Sequence, residues 1–148
     1  MGIPLLRRAF VLTVLSAALA SCSSGGPAAP ADSELVGALP SARQAIATAT
    51  GYSSDAIELM ASRVHLRILV SDAKLSGSDQ AARENSAAAI VVAAENALAS
   101  RAGFSSVQVI SVAIIHPAQS DGSSRDSHTE DVLEFRKGAN QRFSHHTT

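Results

Sequence analysis

Six side chains able to hold a metal or carry a proton fall between His116 and Asp131: His116, Asp121, Asp126, His128, Glu130 and Asp131. Imidazole and carboxylate together suit Zn²⁺ or a pH-sensitive switch. The segment has no HExxH pattern, and its serine and glycine content reads as a solvated loop, so no metal is assigned to it. Ser111, His116 and Asp121 hold the residue types of a nucleophilic triad. However, Ser111 is predicted in the middle of a strand, and no GxSxG elbow exists to expose its hydroxyl. His145 and His146 are adjacent near the end of the chain, a poor arrangement for a supported metal site. Gly77 stands alone and Gly103 suits a helix stop; neither belongs to a GxGxxG or Walker run, so nothing cradles a nucleotide. These residues predict no catalytic group, no metal and no cofactor.

The remaining reactive residue is Cys22, the single cysteine of the chain. It closes the segment MGIPLLRRAFVLTVLSAALASC. Arg7 and Arg8 supply a positive start, and Ala9 to Ala20 is apolar apart from Thr13 and Ser16. As a helix that run would cover about 18 Å, against ~30 Å for a hydrocarbon core, so it predicts a signal peptide in place of a spanning helix. Small residues then precede the cysteine.

Leu19-Ala20-Ser21-Cys22 resembles the lipobox of bacterial lipoproteins at all four positions. The resemblance implies cleavage between Ser21 and Cys22, a diacylglyceryl group on the Cys22 thiol, and often acylation of the new amino terminus, as with palmitate. It implies a lipid anchor in the cell envelope. With Ser23 and not Asp after the cysteine, it further implies the outer membrane where the organism has two. Arg7-Arg8 with Phe10 is partly similar to a twin-arginine signal but lacks the preceding Ser or Thr, so Sec export is the plainer reading. The resemblance covers residues 1–22 alone. Once Cys22 is modified no thiol remains, which removes thiol catalysis and cysteine metal sites.

Composition narrows the rest. The chain has 148 residues and 15.2 kDa, enough for one domain. Hydrophobic residues make up 46%, but 28 of them are alanine, so the larger apolar side chains support one small core. Aromatics are 3% with no Trp, too few for a carbohydrate platform or a base-stacking surface. Twelve basic residues stand against 13 acidic, leaving no basic field for a phosphate backbone and hence no nucleic-acid partner. The expected organisation is a signal peptide at 1–21, a lipidated Cys and Ser/Gly/Pro tether at 22–33, a single small α/β domain at 34–137, and a flexible tail at 138–148.

Within that domain, Pro40 and Gly51 bracket a helix over 40–49. Ser53 or Ser54 could cap a short helix over 55–61. Val64 to Val70 alternates, with Val64, Leu66, Ile68 and Val70 on one face and His65, Arg67 and Leu69 on the other. Residues 79–102 read as a long helix with an inward stripe of Ala87, Ile90, Val91, Ala94 and Leu98. Val107 to Ile115 is apolar on both faces, as a central strand would be. Val132 to Arg136 reads as a charged edge strand. The expectation is an α+β fold: a small three-stranded sheet in strand-helix-strand-strand order with one long helix on one face, preceded by short helices. Its core would include Leu66, Ile68 and Val109, with its other face covered by the short helices or left for a partner. The expected function is a non-catalytic, lipid-anchored envelope protein acting by contact with another envelope protein. The alternative is a ligand or metal binder, or an enzyme, using the 116–131 loop.

Overall fold

The computed structural model describes residues 30–116 and 130–146. The elements run α1 (Pro30–Thr50), β1 (Ile57–Ala61), β2 (His65–Val70), α2 (Ala73–Ser76), α3 (Gln80–Leu98), β3 (Val109–Ile115), β4 (Glu130–Lys137) and β5 (Phe143–His145). The strands form one five-stranded sheet in the order β1-β2-β3-β4-β5. β2 and β3 are parallel, as a helical crossover between them requires, and every other pair is antiparallel.

Alternation along the strands decides the layers. Leu66, Ile68 and Val70 of β2 and Ile110, Val112 and Ile114 of β3 are wholly buried on one face. Phe135 of β4 joins them. α1 and α3 lie side by side over that face. α3 begins at Asp79, whose Oδ1 accepts from Ala82 N–H at 2.8 Å. Its stripe of Ala87, Ile90, Val91, Ala94 and Leu98 is buried as expected. α1 buries Leu35, Ala38, Ala42 and Ile46, spaced for one helical face. It stops at Gly51, whose φ of 78° is open to glycine at little cost.

The three-stranded sheet with one long helix is therefore corrected to five strands and two long helices; the class remains α+β. Three physical reasons account for the difference. Pro40 does not break α1, because it sits on the exposed side, where the Val36 carbonyl it leaves unpaired is in reach of water. Residues 57–61 are a strand, preceded only by a 3-10 turn at Ser54–Ala56. Phe143 packs its ring 6.1 Å from that of Phe104, which draws β5 out of the expected tail and makes part of β4 internal to the sheet. Likewise Pro30–Ser33 belongs to α1 and not to a tether. Val109 lies on the face away from the helices and is only half-buried. α1 does not cover that second face. Among the described residues no helix is long and apolar enough to cross a membrane.

Candidate functional site

Among the described residues no helix lies on the second face of the sheet. Across it, β1 presents Glu58 and Met60, β2 presents His65, Arg67 and Leu69, and β3 presents Val109, Ser111, Ala113 and Ile115. β4 completes it with Glu130, Val132, Glu134 and Arg136. Its centre is small and closed: Ala113 and Ser111 are buried by their neighbours. Its flanks are open, with Met60 43% and Val132 56% exposed. The Arg67 guanidinium reaches over β3 to the Glu130 carboxylate. On β4, Arg136 Nε donates to Glu134 Oε1 at 2.6 Å. That hydrogen bond holds the Glu134 carboxyl below the usual range; desolvation opposes it, and the charges of Arg136, His146 and His65 add to the lowering. The Arg67–Glu130 pair thus crosses the middle of the face, with Met60 and Leu69 on its β1 side and Val132 on its β4 side.

One pair on this face has catalytic residue types. His65 Nε2 and Ser111 Oγ lie 2.8 Å apart. A serine–imidazole contact can activate a nucleophile when N–H donors stand ready for the oxyanion. Here β3 is paired on both sides from Val109 to Ile114, so the backbone N–H groups around Ser111 are committed to the ladders. Ser111 is also only 4% exposed. The pair serves as a cross-strand tie that satisfies a buried hydroxyl.

A groove of about 490 Å³ lies between the start of α3 and the β4–β5 edge, lined by Arg83, Glu84, Asp131, Leu133, Arg136, His145 and His146 among others. Its charges are mutually occupied. Arg83 Nε meets Asp131 Oδ2 at 2.8 Å, and Arg136 is held by Glu134. His145 stacks obliquely on Phe135, with centroids 5.3 Å apart. Below it, Lys137 Nζ sits 5.3 Å from the Phe143 ring and donates to the Ser105 carbonyl at 2.9 Å. Burial pushes its pKa down, and the Glu95 charge opposes this.

The sequence-derived cluster separates. His116 approaches Asp131 only to 3.7 Å, on the oxygen already held by Arg83. Glu130 turns to the opposite face toward Arg67. Asp121, Asp126 and His128 lie outside the described residues, as do Ser21 and Cys22. Ser111 meets His65, not His116. That partnership follows from the β2–β3 register, which places Arg67 beside Ser111 and His65 one step away. Alternation turns His65 away from the core, but with Val109 expected in the core it puts Ser111 on the inward side of its strand; the structure places both on the open face. Among the described residues no group of three His, Cys, Asp or Glu could hold a metal ion. No family model, no curated protein and no solved structure matches this chain.

Proposed function

We propose that this chain is a lipid-anchored protein of the bacterial cell envelope that acts by contact with another envelope protein and performs no catalysis. The lipobox-like run Leu19-Ala20-Ser21-Cys22 supports the anchor, with Cys22 as the lipidated residue and the cut after Ser21. The observation that carries the contact reading is the one-sided packing of the sheet. Both long helices cover one face, and the other offers Met60, Leu69, Val109 and Val132 interspersed with the Arg67–Glu130 and Arg136–Glu134 pairs. Apolar side chains interspersed with paired charges fit a folded protein surface better than a lipid surface, which would favour unpaired cations.

The test combines the anchor and the face. A photo-crosslinking residue replaces Val132 in the full chain, in cells, with and without Cys22→Ser. The expected result is acyl labelling that depends on Cys22 and a discrete crosslinked band that depends on the probe at position 132. Acyl label retained in Cys22→Ser, or mature-sized protein still in the membrane fraction, would overturn the anchor. A probe at 132 that yields no more crosslink than one at exposed Gln44 of α1 would overturn the contact face.

A further inference from the structure

The two edges of the sheet differ. β5 closes one with three residues and β1 forms the other with five, Ile57-Glu58-Leu59-Met60-Ala61. β1 has no proline, no lysine and no bulge, and Glu58 is its one charge. An edge of that kind is a template for another strand unless something blunts it.

Pairing with β2 fixes which backbone groups of β1 face outward. Ser71 N–H donates to the Ala56 carbonyl and Ser62 N–H to the His65 carbonyl, each at 2.8 Å. In the register that joins Ile57 to Val70 and Ala61 to Leu66, residues 56, 58, 60 and 62 therefore bond β2. Ile57, Leu59 and Ala61 turn their backbone groups away from the sheet. Ile57 N–H is already spent on the Ser54 carbonyl. The Ile57 carbonyl and both groups of Leu59 and Ala61 have no partner among the described residues.

We propose that this edge is a homodimer interface, in which β1 pairs antiparallel with β1 of a second copy about a two-fold axis at Leu59. The available groups match themselves in that register. Leu59 exchanges both hydrogen bonds with its own copy, and Ala61 N–H donates to the partner's Ile57 carbonyl, twice by symmetry. The single spent donor, Ile57 N–H, falls opposite the Ala61 carbonyl, which keeps its water. Glu58 lies opposite the partner's Met60, which gives an exposed methionine an apolar stem to cover it. A register centred on Glu58 would instead oppose two carboxylates and is disfavoured. This self-complementarity favours a second copy over an unrelated strand. The inference does not rest on the lipid anchor, and its hydrogen-bond register does not depend on the contact reading of the open face.

The test is the mass of the full chain in a mild non-ionic detergent, by light scattering across concentration. The expected mass is twice that of the chain. Met60→Glu places a carboxylate opposite the partner's Glu58 and should weaken dimerisation about tenfold, equivalent to ~1.4 kcal/mol. Within its own protomer the new carboxylate faces Arg67, so folding is unharmed. Adding Glu58→Lys restores opposite charges and should restore the dimer. Leu59→Pro removes an outward donor without touching the β1–β2 ladder and should abolish it. If that variant fails to fold by circular dichroism, the charge reversal still decides the matter. A monomer at all concentrations overturns the proposal. So does a dimer indifferent to Met60→Glu, or one that Glu58→Lys fails to rescue.

Discussion

Adjacent residues of β2 belong to different solvents. Ile68 is wholly buried under the helices, and its neighbour Leu69, of the same volume, is only partly buried on the other face. The same contrast runs along β3, where Ile110, Val112 and Ile114 face α1 and α3 and Val109 and Ile115 do not. One face thus has its apolar surface closed by the chain's own helices, and the other has apolar surface without such a cover among the described residues. The first secures the fold, and the second is where an external surface can be met without unfolding anything.

The largest effect expected from this contrast is on core packing. Ile68→Ala should cost about 2–5 kcal/mol through lost burial and the cavity left behind. Leu69→Ala should cost less, about 1–2 kcal/mol, because part of its surface stays in water. Urea unfolding midpoints compare the two directly. Equal losses would mean that the second face is covered as well as the first, and the contact reading would lose its basis.

Ion pairs give a smaller contrast of the same kind. Arg83, on the helix side, is 21% exposed, meets Asp131, and also donates to the Ser78 carbonyl ahead of α3. Arg67, on the open side, is 39% exposed and meets Glu130 in solvent. Arg83→Met is expected to cost about 1–2 kcal/mol, since it strips two charged hydrogen bonds and loosens the entry to α3. Arg67→Met should cost less than about 0.5 kcal/mol, as solvated pairs do. The same unfolding experiment at 0.5 M salt should leave the difference largely in place.

The sheet was legible where side-chain period and strand length agreed. β2 alternates without exception over six residues and β3 is apolar on both sides, so each could be placed, along with the crossover helix between them. β1 was not legible: Ile57, Leu59 and Met60 behind a capping serine fit one turn of helix as well as a short strand, and only pairing with Leu66–Val70 settles the choice. The first half of α1 was hidden by Gly37 and Pro40, whose helix penalties are offset by the tertiary burial of Leu35 and Ala38. β5 has one apolar residue, Phe143, whose partner Phe104 lies 39 positions earlier (143 − 104) and is joined only by tertiary packing. For the candidate site, the outward direction of His65 and Arg67 could be read from alternation. Their neighbours could not, because His65–Ser111 and Arg67–Glu130 span 46 and 63 residues and depend on register.

The smallest expected effect concerns the pH response of the open face. Glu134 is lowered in the folded protein, chiefly by its hydrogen bond from Arg136, so the native state binds that proton less readily than the unfolded chain does. Its contribution is therefore complete above the ordinary glutamate value of about 4.3 and is lost as pH falls through the lower folded value. Glu134→Gln removes this titration. The melting temperature of the wild type should then exceed that of the variant by a small, constant margin from neutral pH down to about 5. Below that the margin should shrink and vanish as Glu134 is protonated in both states. The side chain is 40% exposed, so the margin should also fall in 0.5 M salt, unlike that of Arg83. A margin that grows on acidification would mean the carboxyl is raised and not lowered. It would then point to a covered, desolvated Glu134 and against an open second face.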